Sequence, residues 1–339
     1  TGGGKTEAYL ALIAFTLALR RIRAGSSKET GVGVISRYTL RLLTIQQFRR
    51  AQKVITACEI LRVSKSNGKR GWLPADYSTE SDFIWGKNPF SIGLWVGNSV
   101  TPNNMTSSIV RGNRLVGALE HLQGLKSDYR GPNKDLKMKN KRSNRISVGG
   151  DPAQITNCPC CDNILALPNQ IKGNHTVNLI VKCESPPNID WQAREDIHLN
   201  DFQSEKISNK NWTITLNLGF KEEIHFEEFD NLIDKALPAC KILSARASRP
   251  GYFIHYKDNL PVNFQIFCTN SKCTLTEYEW FQRETSVGEI FGINDGAMLS
   301  RIPITAMTTD DQIYHRLPSV IVSTVDKFAR LSYEPAAAS

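Results

Sequence analysis

Thr1-Gly2-Gly3-Gly4-Lys5-Thr6 sets three glycines in a row ahead of a lysine and a threonine. Glycine, lacking a Cβ, lets backbone N–H groups turn inward on an anion. A lysine beyond the glycines reaches the outer phosphates of a nucleotide, and a threonine hydroxyl opening a helix holds Mg²⁺ while the helix adds the positive end of its dipole. The hexapeptide matches the last six residues of a G/A-x-x-x-x-G-K-[ST] phosphate loop. The expected nucleotide contacts are Thr1, Gly2, Gly3, Gly4, Lys5, Thr6 and Glu7, with Lys5 and Thr6 as the catalytic members and ATP with Mg²⁺ as cofactor. A bare glycine-rich terminus is the competing reading; the apolar helix and short strand that follow disfavour it.

A second constellation is made of cysteines. Cys158-Pro159-Cys160-Cys161 and Cys268-Thr269-Asn270-Ser271-Lys272-Cys273 are two short pairs about a hundred residues apart. Each pair can put two sulfurs on one tight turn, and four thiolates suit a tetrahedral structural Zn²⁺ site. The expected ligands are Cys158, Cys161, Cys268 and Cys273, with Cys160 competing with its neighbour; buried free thiols are the alternative. Cys58, Cys183 and Cys240 read as buried free thiols. No cysteine has an evident histidine partner for catalysis, and the 6 histidines are scattered singly.

These residues need elements to hold them. A helix is expected from about Glu7 to Arg23, a surface loop over Ala24 to Thr30, a buried strand at Gly31 to Ser36, and a helix over Leu40 to Arg62 with Leu43, Ile45, Phe48, Ala51, Val54 and Ile55 at helical spacing. Ser91 to Val96 reads as the next strand. Residues 101–150 lose that character; Lys126 to Arg145 is basic, has few apolar residues and no period, and reads as a linker or arm. Between about 150 and 285, short β segments (Val177 to Val181, Trp212 to Leu218, Phe264 to Phe267) alternate with turns and one helix, Phe226 to Leu237. A buried strand returns at Ser319 to Ser323, then a helix from Val325 to Leu331. The expected organisation is 1–100, first part of a phosphate-loop lobe; 101–150, basic linker; 151–285, β-rich zinc-binding insertion; and 286–339, return to the lobe. The fold class is α/β with a parallel sheet.

The net charge of +9 is uneven. Residues 1–150 hold 25 Lys and Arg against 9 Asp and Glu, and the remainder 17 against 24, so the two parts carry +16 and −7. A basic surface of that size attracts phosphate backbones, which makes DNA the expected partner. The apolar run Ala8 to Leu19 stops at Arg20, Arg21 and Arg23, short of the roughly 20 residues a membrane span needs. Its charges follow the apolar stretch, the reverse of a secretory signal, so a cytoplasmic chain without a membrane partner is expected.

Three stretches in order, TGGGKTEAYLALIAF, RYTLRLLTIQQFRRA (Arg37 to Ala51) and SVIVSTVDKFARL (Ser319 to Leu331), resemble motifs I, Ia and Ib of superfamily 2 helicases. Their wording, with IGLWVG and the long cysteine-bearing insertion between Ia and Ib, is similar to the DrmA-type helicase subunits of bacterial DISARM anti-phage systems. The resemblance implies a RecA-like lobe whose Ia and Ib residues Thr39, Arg41, Thr44, Gln47, Ser323, Thr324 and Lys327 line a nucleic-acid track. It also implies an ATP-dependent helicase or translocase with a partner subunit in the same defence complex.

Such enzymes place an Asp-Glu box after Ib, and none stands between Lys327 and Ser339. Glu222-Glu223-Ile224-His225 and Asp310-Asp311 precede Ib and are rejected, the latter because Thr308-Thr309 before it does not read as a buried strand. This segment by itself is therefore expected to bind nucleotide weakly and to hydrolyse it negligibly, the second lobe and its arginine finger being needed to complete the site. A nucleic-acid binding scaffold with a vestigial nucleotide loop, or a related repair helicase, are the alternatives.

Overall fold

The computed structural model describes residues 4–24, 31–39, 41–66, 68–74, 76, 83–110, 113–124, 146–147, 149–192, 194–208, 210–276 and 301–330. Thr1, Gly2, Gly3 and the basic stretch Lys126 to Arg145 lie outside the described residues. The chain opens with α1 (Lys5–Ala24), β1 (Val34–Tyr38), α2 (Arg41–Val63), β2 (Ile92–Trp95) and α3 (Ala118–Gln123). It continues through β3 (Gln170–Cys183), β4 (Ile197–Lys206), β5 (Asn211–His225), α4 (Phe226–Ala236), β6 (Cys240–Ile242), β7 (Tyr252–Lys257) and β8 (Leu260–Ile266). It closes with β9 (Ala306–Met307), α5 (Asp310–His315), β10 (Val320–Thr324) and α6 (Val325–Arg330).

A parallel sheet in the order β1-β10-β2-β9 joins the two ends of the chain. Every residue of β2 and β10 is buried, as their near-continuous apolar runs require of a strand covered on both faces. β1 alternates half-buried and exposed positions because successive side chains point to opposite faces of the sheet and one of those faces is less covered there. α1 buries Ile13, Leu17 and Arg21, spaced four apart. Arg21 reaches the carbonyls of Trp85 and Asn88 at 2.6 Å each and lies 4.0 Å over the Phe90 ring. α2 buries Phe48, Ala51 and Ile55 against the sheet and carries a buried ion pair, Glu59 with Arg62 at 2.6 Å.

The middle of the chain forms a four-stranded sheet in the order β6-β3-β5-β4, with all its pairings antiparallel. Val177, Leu179 and Val181 of β3 and Ile214, Leu216 and Leu218 of β5 share one face, the period of two that a pleated strand imposes. α4 closes it with Phe226, Phe229 and Ile233; fully buried Phe229 and Ile233 contribute about 1.5–3 kcal/mol each. These strands are far longer than the short segments expected: 14 residues in β3 and 15 in β5. Polar β4 (IHLNDFQSEK) carried no alternating signal and forms because β5 supplies its partner edge. Cys183 and Cys240 correct the sequence reading. They are register partners on β3 and β6, close enough for a disulfide, and are joined by one rather than free.

Asp258 and Asn259, both at positive φ, make the tight turn between β7 and β8. The hairpin packs into the same core as the parallel sheet. Gly150 sits where a Cβ would come within 2.0 Å of the Val100 carbonyl oxygen, so only glycine lets the chain enter the middle unit there. No helix among the described residues is long and apolar enough to cross a membrane.

Candidate metal centre and the sheet-end residues

The Cys158–Cys161 turn is closed by the Asp162 amide donating to the Cys158 carbonyl at 3.0 Å and the Cys158 amide donating to the Asn163 carbonyl at 2.8 Å. Asp162, at φ 61°, reverses the chain. The tightness of this turn sends Cys158 inward and leaves Cys160 exposed. On the other side, Asn270 shapes the Cys268–Cys273 turn: its side-chain oxygen accepts from the Lys272 amide at 3.0 Å and its carbonyl from the Cys273 amide at 3.2 Å.

The Sγ atoms of Cys158, Cys161, Cys268 and Cys273 lie within 4.8 Å of one another and could hold a metal ion. Cys158 and Cys273 are 3.8 Å apart and Cys161 and Cys268 3.5 Å. Four sulfurs at about 2.3 Å from a tetrahedral zinc stand about 3.8 Å apart, so the cluster needs only small adjustments to take that ion. Amide N–H groups of Cys160 and Cys161 face the Cys158 sulfur, that of Asn163 faces Cys161, and that of Leu275 faces Cys273. The Asn270 side-chain amide is 3.7 Å from the Cys161 sulfur. Such donors stabilise thiolates.

Donation from the Cys268 and Cys273 thiols, helped by those amides, holds Cys158 far below the usual thiol range. Cys161 is lowered to about 7, chiefly by the Cys268 thiol. Cys268 and Cys273 are pushed up, first because they donate to Cys158. Four thiols crowded together thus share their protons instead of ionising independently, and a cation is what would let all four ionise. Arg301 fits that charge balance. It is buried, donates to the Cys268 carbonyl, and has a guanidinium pKa lowered by burial but raised by the Cys268 and Cys273 charges. A dication with four thiolates carries two negative charges, one of which this guanidinium offsets.

At the front of the chain, Gly4 takes φ +63° and α1 begins at Lys5. Lys5 is exposed and Thr6 half-buried. The Glu7 carboxylate is engaged by Arg50 of α2, so it anchors the first turn of α1 to α2. The Arg20 guanidinium donates to the Gly31 carbonyl at 3.3 Å, putting the last turn of α1 beside the start of β1. α1 therefore runs against β1, and its first turn is directed toward the carboxyl ends of the parallel strands, where open α/β sheets bind ligands.

The register sets Arg37 opposite Ser323 and Tyr38 opposite Thr324, so Thr39 and Val325 leave the sheet at that same end. Thr39 is exposed and Gln47 half-buried; the Arg41 side chain is outside the described ones. Thr44, Ser323, Thr324 and Lys327 are buried. The Lys327 ammonium is taken up by Asp310 and donates to the Asn103 side-chain oxygen at 3.2 Å. Sequence reasoning missed Asp310 and Asn103 as partners because nothing local links them to Lys327.

Thr308-Thr309 belongs to no strand, as expected, although β9, two buried residues in the parallel sheet, ends just before Thr308. Asp310-Asp311, which follows, is occupied structurally, Asp310 with Lys327 and Asp311 by accepting the Met105 amide at 2.7 Å. Glu222 and Glu223 are exposed on β5, and His225 caps α4.

No protein-family profile matches the chain. It is similar to DISARM protein DrmA of Bacillus paralicheniformis. The identity is 27% over 338 residues, covering 98% of this chain and 17% of that protein's length. That similarity supports a DrmA-like relationship running through the sheet, the cysteine turns and the antiparallel unit alike.

Proposed function

We propose that this chain is the nucleotide-gripping, RecA-like part of an ATP-driven DNA helicase or translocase subunit of an anti-phage defence system. The observation that carries the reading is the DrmA similarity over 98% of the chain. The glycine loop supports it independently, since it leads into a helix directed at the sheet end where the segments resembling Ia and Ib emerge. In this reading Lys5 and Thr6, with the backbone of Gly2, Gly3 and Gly4, hold Mg²⁺-ATP. Thr39, Arg41 and Gln47 contact the DNA backbone directly. Thr44, Ser323, Thr324 and Lys327 shape that edge from inside. Cys158, Cys161, Cys268 and Cys273 hold a structural Zn²⁺ that fastens the inserted unit to the lobe. The subunit works in the cytoplasm beside a partner of the same complex.

ATP hydrolysis by the full-length protein, with and without DNA, beside a Lys5→Ala variant, tests this. DNA-stimulated turnover that Lys5→Ala abolishes is expected; turnover indifferent to both refutes it. The +16 charge of residues 1–150, which attracts phosphate backbones whether or not nucleotide is hydrolysed, favours a second reading, a DNA-binding scaffold with an idle nucleotide loop. Salt-sensitive DNA binding that survives in Lys5→Ala, with no hydrolysis by the intact protein, is its signature.

A further inference from the structure

The four clustered sulfurs belong to residues that are not equally sheltered. Cys158, Cys268 and Cys273 are buried, and Cys161 is the least covered of the set. Cys160, Cys161 and Asp162 follow one another at the surface of the turn. Thiolate character and access together decide which cysteine a small oxidant attacks. Cys161 combines them when a metal is bound, because coordination keeps a sulfur deprotonated and the turn presents this one to solvent.

Distance selects the partner for a second step. The Cys161 and Cys268 sulfurs stand 3.5 Å apart, against 3.8 Å for Cys158 and Cys273. An S–S bond of about 2.0 Å asks the first pair to close by roughly 1.5 Å. Cys160 is exposed and free, yet it suits this step poorly. Its peptide bond to Cys161 is trans, which fixes neighbouring Cα atoms about 3.8 Å apart, below the roughly 4.4–6.8 Å that disulfides span.

We propose that Cys161 is an oxidant-reactive modification site that takes hydrogen peroxide, with Cys268 as the thiol that resolves it. The proposal rests on the zinc-bound reading of the cluster. The Cys161 thiolate attacks one peroxide oxygen, the O–O bond breaks and hydroxide leaves, so that Cys161 becomes a sulfenic acid. The Cys268 thiolate then attacks that sulfur; the S–S bond forms, the S–O bond breaks and a second hydroxide leaves. Two thiolates give up two electrons, one peroxide is reduced, and two protons from solvent convert both hydroxides to water. Loss of two ligands releases the ion, while the new bond keeps the two cysteine turns joined. A dithiol with added zinc therefore restores the starting state.

The test uses the full-length protein, loaded with zinc, freed of reductant and treated with hydrogen peroxide. Zinc release is followed with a chromogenic chelator, and disulfides are mapped by mass spectrometry of unreduced digests. The expected result is release of about one zinc per chain, Cys161–Cys268 as the first new disulfide, and reversal by dithiothreitol with zinc. Cys160→Ser should release zinc at a rate within about twofold of wild type. Cys161→His leaves a Cys₃His set of the kind structural zinc also takes, and it should release the ion at least about tenfold more slowly. A first new disulfide that leaves out Cys161, or zinc retained by the wild type under peroxide, overturns the proposal and leaves the metal reading intact. Equal release rates in Cys161→His and wild type overturn it too; where that variant takes up no zinc, the wild-type disulfide map decides. Protein that purifies without zinc and takes none up overturns both readings.

Discussion

Cys268→Ser tests the metal centre most sharply. Cys268 is fully buried, and the centre ties the Cys158–Cys161 turn to the Cys268–Cys273 turn, with Cys161 and Cys268 separated by 107 positions in sequence. A cross-link closing a loop of about 100 residues removes unfolded-state entropy equivalent to about 4.7 kcal/mol. That is the part the chain loses even before the thiolate–metal bonds and the charge balance at Arg301 are counted. At about 2–4 °C per kcal/mol for a large domain, the melting temperature should drop by on the order of 10 °C. Cys160 is exposed and is not one of the four clustered sulfurs, so Cys160→Ser should leave melting and metal content unchanged. The assay is zinc by elemental analysis of protein purified in reductant without chelator, paired with calorimetry of the three proteins. About one zinc per chain is expected in wild type and Cys160→Ser, and little in Cys268→Ser. Wild-type protein free of metal, or a Cys268→Ser variant that melts with the wild type, would refute the reasoning.

Two other perturbations address the scaffold. Glu59→Ala takes from the buried Arg62 its carboxylate partner and removes the acceptor of the Phe90 amide, which should cost about 3–5 kcal/mol by urea unfolding, whereas Glu59→Leu with Arg62→Met should recover much of it. An equal loss in both variants counts against the ion-pair argument. His121 has its pKa lowered, first by burial, then by Arg246 and Arg249 against the opposing pull of Asp151. A depressed histidine contributes stability that is present above its unfolded value of about 6.5 and is lost as pH falls through the folded value. The urea midpoint should therefore decline on going from neutral to mildly acidic pH, and His121→Gln should flatten that decline; an unchanged slope would show another group is responsible.

The sequence by itself determined the local elements and the residue types. The helices Lys5–Ala24, Arg41–Val63 and Phe226–Ala236 and the strands Ile92–Trp95 and Val320–Thr324 all lie within a few residues of their expected bounds, because apolar spacing records which face is covered. Cysteine spacing marked the four residues whose sulfurs come together, since two short turns are local features. Only the tertiary structure decided what depends on register and on distant partners. The Cys183–Cys240 bond follows from the pairing of β3 with β6. Burial of Lys327 against Asp310 is a contact between α6 and α5, elements that a one-dimensional pattern leaves unrelated. The phosphate-loop residues could be read in sequence because a loop's chemistry is contiguous; the contacts of Lys327 could not, because Asn103 and Asp310 meet it only when the chain has folded.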